Sequence, residues 1–222
     1  MHPILGRLAD LFYPPRCFLC REVLKNREEA VCAECREHIL SEEQDHVFSL
    51  EFIDQALALF DYKGNVRESI HALKFGKQAW IARKAAGFMF KSMEKAGFEA
   101  DVITWVPMRS REKAKRGFDQ SEILAREIAK LAGMKATRTL EKVKKTKRQS
   151  SLSARERRAN VLGAYVSSDP GSVRGKRILL VDDVITTGST MSEAARILRM
   201  DGADKIYALS LARSDLSKEN NR

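Results

Sequence analysis

The chain has 222 residues, 44% of them apolar, and a formal net charge of +10. Such a length and apolar content accommodate one medium domain plus a small module and exclude wholesale disorder. No run approaches the roughly 18 apolar residues of a membrane span, and the positive balance favours an anionic partner such as phosphate or nucleic acid without proving one.

The opening MHPILGRLADLFYPPRC has charges at Arg7 and Asp10 and no apolar core followed by a small-residue cleavage site, so the expectation is a cytoplasmic protein. All four cysteines fall early, as the pairs Cys17/Cys20 and Cys32/Cys35 with eleven residues between the pairs. Two thiolates at x₂ spacing sit on one tight knuckle, and two knuckles complete a tetrahedral four-sulfur zinc site. Disulfides are disfavoured in the cytoplasm, redox C-x-x-C motifs come singly, and iron–sulfur clusters use other spacings. A site with all four positions filled by protein has no open position for chemistry, so the zinc is structural. The polar stretch Ser41–His46 marks a boundary, giving a zinc-ribbon-like module over 1–48.

Beyond it, Ala56–Tyr62 reads as a strand closed by Lys63-Gly64. Asn65 is the expected cap of a helix carrying Val66, Ile70 and Leu73 on one side and ended by Gly76. Ala79–Ala96 is a helical pattern stopped by Gly97, and Asp101–Val106 is an apolar strand broken by Pro107. A loop then carries five basic residues between Arg109 and Arg116 against the single acid Glu112, and Ser121–Leu131 reads as a helix ended by Gly133. Lys135–Arg158 holds ten Lys or Arg against Glu141 and Glu156, with little apolar content, and reads as a solvated loop or hairpin. Strands are expected at Arg177–Val181 and Lys205–Leu211, before a tail, 214–222. Strands alternating with helices imply an α/β domain over 49–213, with a mainly parallel sheet flanked by helices.

The chemistry concentrates in ILLVDDVITTGST, Ile178–Thr190. Four apolar residues form a strand buried on both faces, which puts Asp182 and Asp183 at its carboxyl end, where open α/β sheets bind ligands. Met191, Ala194, Ala195 and Leu198 then follow the i, i+3, i+4, i+7 pattern of a helix starting near Ser189. Thr186, Thr187, Gly188, Ser189 and Thr190 therefore lead into a helix N-terminus, whose amides and dipole suit a phosphate. Two acids would repel that phosphate, but they suit sugar hydroxyls, which donate hydrogen bonds, gripped directly or through Mg²⁺. A ribose 5-phosphate group satisfies both halves. Phosphate-receiving α/β domains and Mg²⁺ hydrolases also carry a strand–Asp-Asp–loop, and two aspartates capping a turn remain the plain alternative. A P-loop is excluded, because GxxxxGK[ST] is absent.

VDDVITTGST resembles the phosphoribosyl pyrophosphate (PRPP) motif of type I phosphoribosyltransferases. The resemblance implies that Asp182 and Asp183 contact the ribose hydroxyls and that Thr186–Thr190 bind the 5′-phosphate. Some purine-using members carry a carboxylate where this chain has Thr186, which speaks against purine salvage. YKGNVRESIHALKFG, WVPMRSREKAKRGFDQ and RQSSLSARERRANVLGAY, together with the four cysteines, resemble the ComF family of late competence proteins, a zinc ribbon fused to a phosphoribosyltransferase-like domain. What this implies is PRPP binding with Mg²⁺ and a part in single-stranded DNA uptake during natural transformation, with PRPP, single-stranded DNA and a DNA-uptake helicase as partners. A related, amidophosphoribosyltransferase-like branch implies instead a transferase of nucleotide metabolism with no role in DNA handling. The resemblance also makes Pro107, Met108, Arg109, Lys115 and Arg116 the pyrophosphate site, and Lys135–Arg158 a hood over the substrate. No aromatic residue lies between Lys135 and Asn160, so nucleic acid would be held there by charge and not by stacking. No general base stands out. His71 lies nearest a matched motif, where a lone helical histidine is more often structural.

Overall fold

The computed structural model describes residues 14–26, 29–41, 46–75, 78–144 and 160–214. In chain order the elements are α1 (Ala33–Ser41), β1 (His46–Leu50), β2 (Ile53–Asp61), α2 (Gly64–Phe75), α3 (Trp80–Lys95), β3 (Val102–Trp105), α4 (Ser110–Arg116), α5 (Gln120–Leu131), β4 (Leu140–Lys142), β5 (Tyr165–Ser167), β6 (Arg177–Ile185), α6 (Ser189–Met200) and β7 (Lys205–Arg213). Five strands form one sheet in the order β1-β2-β7-β6-β3. β2, β7, β6 and β3 are parallel, and β1 returns antiparallel on β2 at the edge. β4 and β5 make a separate antiparallel pair. Among the described residues no helix is long and apolar enough to cross a membrane.

The apolar run of β6 is divided between two cores by its period of two. Leu179 and Val181 face α2, α3, α5 and the cysteine module, while Ile178 and Leu180 face α6 and the segment around Ala164 and Tyr165. The expected inner face of α6 is buried, with Met191, Ala194, Ala195 and Leu198 at most 1% exposed. Gly97 and Gly133 follow α3 and α5 at positive φ, 67° and 68°, as helix-ending glycines do.

Several boundaries differ from expectation. β6 does not stop at Val181: its pairing with β7 continues to Ile185↔Arg213, whereas its pairing with β3 ends at Trp105↔Val181. The two aspartates thus lie inside a strand that outruns its neighbour. Gly64, at φ +48°, opens α2 and puts Asn65 inside the first turn; Gly76 lies outside the described residues. The basic stretch after Arg109 folds into α4, a helix with no buried residue. The start of the 135–158 segment joins the core, because Thr139 and Leu140 are at most 1% exposed and β4 pairs with β5. Residues 145–159, most of the expected hood, lie outside the described residues, as does the tail beyond Ser214.

The cysteine module packs directly on the domain. Phe18, fully buried between the cysteines of the first knuckle, sits 5.5 Å from the Phe88 ring and 6.5 Å from that of Phe60. Ser69 Oγ of α2 donates to the Phe18 carbonyl, Arg21 donates to the Glu68 carbonyl at 3.2 Å and Lys84 to the Glu29 carbonyl at 3.1 Å.

Candidate functional site

The first knuckle is closed by Arg21 N–H donating to the Cys17 carbonyl at 3.0 Å, with Arg21 at φ +67°. The second opens α1, where the Cys35 amide points at Cys32 Sγ, 3.4 Å away. The four sulfurs lie within 4.8 Å of one another, and Cys20 and Cys32 Sγ are 3.6 Å apart. A tetrahedral site with Zn–S near 2.3 Å has edges of about 3.8 Å, so the donors fit zinc. Burial and the neighbouring thiols push the Cys35 thiol up. A bound cation reverses that, because four crowded thiolates are tolerable only around positive charge.

The carboxyl end of β6 opens into a cleft of about 250 Å³. It is lined by the acids together with Tyr62, Lys74, Thr186, Gly188 and Thr190. That is smaller than the roughly 300–1,000 Å³ of drug-sized ligand pockets and suits a sugar phosphate. Gly188 stands at φ +75°, just ahead of α6, and a Cβ there would run into the Leu50 side chain at the end of β1. The left-handed φ favours glycine at that turn, and any side chain there would also require Leu50 to shift. The loop's side chains divide between two faces. Those of Thr187 and Ser189, whose hydroxyls share a 2.9 Å hydrogen bond, line a second groove with Phe52, Leu162 and Glu193.

The twin acids have different surroundings. Ser121 Oγ donates to Asp182 Oδ1 at 2.7 Å, and the Asp183 amide donates to the same oxygen at 2.8 Å. Asp183 is 5% exposed; Lys74 Nζ lies 2.8 Å from its Oδ2, and Gln120 Nε2 donates to that oxygen at 3.3 Å. Burial and the adjoining Asp183 charge push Asp182 up to about 7, against the opposing pull of Ser121 and Lys74. Burial would lower the Lys74 ammonium, but Asp183, and Asp182 behind it, hold it above its ordinary value.

The expected pyrophosphate loop is organised by Asp119. Its Oδ2 accepts from Met108 N–H at 2.9 Å and its Oδ1 caps α5 by accepting from Glu122 N–H at 3.3 Å. Burial raises its carboxyl against those two donors. Pro107 and Met108 follow β3 and Arg109 precedes α4; none of the three is among the residues that line the cleft. Arg116 reaches the acids through a relay, donating to Gln120 Oε1 at 2.7 Å with its guanidinium 5.5 Å from the Phe75 ring. Lys115 is exposed on α4 and does not line the cleft. From the other side Lys142 of β4 stands 5.6 Å from the buried Tyr165 ring. Burial lowers its ammonium although Glu112 and Asp182 pull it up.

The sequence reading missed Lys74, Asp119, Gln120 and Ser121. Asp119 was findable, because Asp119-x-x-Glu122 is an N-cap with an acid at the third helical position. Lys74 carries no such signal.

A mainly parallel α/β sheet with twin acids and a small-residue loop on one cleft, behind a four-cysteine knuckle, defines a phosphoribosyltransferase-fold protein with a zinc ribbon. Residues 80–221 match the phosphoribosyl transferase domain model and residues 8–45 the double zinc ribbon model. The chain is 34% identical over 164 residues, 71% of each chain, to DNA utilization protein YhgH of Salmonella typhimurium. It is 27% identical to competence protein F of Haemophilus influenzae, covering 91% of this chain and 99% of that one. It is 28% identical to competence protein ComFC of Streptococcus pneumoniae, covering 70% and 67%. A solved structure of the allosteric regulatory enzyme of purine biosynthesis is similar at TM-score 0.40 and 29% identity, over 58% of this chain and 25% of that one. The chain belongs to the phosphoribosyl transferase domain family, within it to the ComF type, in which a zinc ribbon precedes that domain.

Proposed function

We propose that the cleft binds PRPP with Mg²⁺, and that the protein uses this site in handling single-stranded DNA in the cytoplasm. The observation that carries the reading is that both acids and the Thr186, Gly188 and Thr190 part of the loop line one cleft. Asp182 and Asp183 accept hydrogen bonds from the ribose diol. The backbone of Thr186–Thr190 and the start of α6 hold the 5′-phosphate. The hydroxyls of Thr187 and Ser189 brace that turn through their mutual hydrogen bond. The amides of Pro107–Arg109 frame the pyrophosphate, Met108 through its tie to Asp119, with Arg109 and Arg116 neutralising charge and Lys115 a more distant contributor. Both acids already have donors on them, so Mg²⁺ would come with the ligand's diphosphate, and the chemistry it would supply is neutralisation of the leaving group's charge. Displacement of pyrophosphate at the anomeric carbon is dissociative, and the chain contributes positioning and charge.

The division into a ribbon over 1–48, a transferase-like domain over 49–213 and a tail over 214–222 belongs to the same proposal. So does nucleic-acid handling, supported by the names of the YhgH and competence relatives and by the net charge of +10. Calorimetric titration with PRPP and Mg²⁺ tests the site: wild type binds, and Asp182→Asn/Asp183→Asn loses at least tenfold in affinity. An unchanged double variant sinks the reading. Pyrophosphate release with candidate acceptors separates turnover from binding. A salt series with single-stranded DNA tests the nucleic-acid half, with a steep negative log–log slope expected and a flat response refuting it.

A further inference from the structure

Asp183 is the more buried of the twin acids, and one of its oxygens is already taken. Lys74 Nζ and Gln120 Nε2 both meet Oδ2, at 2.8 and 3.3 Å, which leaves Oδ1 to accept from a ligand hydroxyl. Asp182 is held by neutral donors, the Ser121 hydroxyl and the Asp183 amide. Among the described residues a single cation therefore sits on the pair, on one particular oxygen. It comes from the last turn of α2, where a lysine ordinarily serves the helix's own terminal carbonyls. Here its ammonium crosses to a strand far away in sequence.

α2 is not free to move this ammonium. The Ser69 hydroxyl is bonded to the Phe18 carbonyl inside the zinc knuckle, Arg21 of the same knuckle donates to the Glu68 carbonyl, and Ile70 and Leu73 are fully buried. The helix is pinned along its length to the ribbon on one side and to the domain core on the other, and Lys74 projects from its pinned end onto Asp183.

We propose that Lys74 is a positioning residue of the sugar subsite, whose ammonium fixes one oxygen of Asp183 and turns the second toward the ligand's diol. Its role rests on the PRPP reading of the cleft. A ligand bearing a phosphate and a diphosphate brings several negative charges beside two acids, and Lys74 offsets one of those acids before the ligand arrives. Removing it leaves Asp183 without the cation that fixes Oδ2, so the carboxylate is no longer held toward the diol. That change removes an oriented hydroxyl acceptor and leaves the phosphate turn at Thr186–Thr190 intact.

The test uses the zinc-loaded full chain and two probes, PRPP with Mg²⁺ and inorganic phosphate, titrated into wild type, Lys74→Met, Lys74→Gln and Lys74→Arg. Lys74→Met is expected to weaken PRPP at least tenfold and to leave inorganic phosphate within about twofold. Lys74→Arg, which restores the charge, is expected to recover PRPP to within about threefold. Lys74→Gln, neutral but still a donor, is the second variant should Met not fold, and is expected to fall between the two. PRPP binding in Lys74→Met equal to wild type overturns the proposal. So does equal weakening of both probes, which would mark a general structural role. Wild type that binds phosphate but not PRPP overturns the PRPP reading itself, and this proposal with it.

Discussion

Asp182→Asn should make the protein more stable, increasingly so as pH rises. The carboxyl of Asp182 is pushed up to about 7 by burial and by the Asp183 charge, whereas in an unfolded chain it titrates near 3.9. Because the folded state holds its proton more tightly, the site favours folding most below about pH 4. That contribution is lost as pH rises to about 7, then stays flat. Three units at about 1.36 kcal/mol each make the cost at pH 8 on the order of 4 kcal/mol, and at pH 5 roughly a third of that. Asparagine keeps an oxygen to accept from Ser121 and from the Asp183 amide, the two bonds Asp182 makes at 2.7 and 2.8 Å, and carries no charge to desolvate. Urea unfolding of the zinc-loaded protein should therefore show a stabilisation about 2–3 kcal/mol larger at pH 8 than at pH 5. The same variant should lose PRPP. A stability difference independent of pH, or one that shrinks as pH rises, would refute the argument that the acids are held against their electrostatic preference. Sites kept for binding at the expense of stability behave in this way.

Gly188→Ala should destabilise by about 2–4 kcal/mol in urea unfolding, from forcing a side chain to left-handed φ and from its collision with Leu50. Adding Leu50→Ala should cancel only the collision, and a cost below about 1 kcal/mol for the single change would contradict the geometry. Asp119→Ala removes both the α5 cap and the acceptor of Met108 N–H. The expected loss is about 2–4 kcal/mol, with faster hydrogen exchange at Met108 and in the first turn of α5; unchanged exchange at Met108 would show that Asp119 does not hold the loop. Chelating the zinc should release Phe18 from Phe88 and Phe60 and speed exchange along α2, whereas retained α2 protection in the metal-free protein would mean that the ribbon does not support that helix.

What the sequence made legible was local. The apolar run Ile178–Val181, the helical period from Met191 to Leu198 and the paired cysteine spacing each stand within about twenty residues and carry their own signal. What it hid depends on how far strands run and on which elements meet across the sheet. Nothing in Asp182-Asp183-Val184-Ile185 announces that pairing with β7 continues to Arg213 while pairing with β3 has ended. Nor does a basic residue after Leu73 announce that it will leave its own helix for Asp183. Loop side chains alternate for similar reasons: Thr187 and Ser189 read the same as Thr186 and Thr190 until the turn at Gly188 assigns them to opposite faces.

The unequal strand lengths explain why a site forms at this place. Two carboxylates within a strand flanked on both sides would have to be buried among ladder partners and would oppose folding. Here β3 ends at Trp105, and the last contact on that side is Val106 N–H on the Val181 carbonyl at 3.0 Å. The chain then turns away through Pro107 to α4. Asp182 and Asp183 emerge one residue later, along an edge where the sheet has no further strand. The polar ends of two helices fill that edge instead: Gln120 and Ser121 from the start of α5, and Lys74 from the finish of α2. β7 pairs with the other edge of β6 to Ile185, so the acids stand on a fixed support while their open side faces donors carried by α5 and α2. A ligand on that open side can reach the oxygens the donors leave open without breaking the sheet, as the proposed sugar site requires.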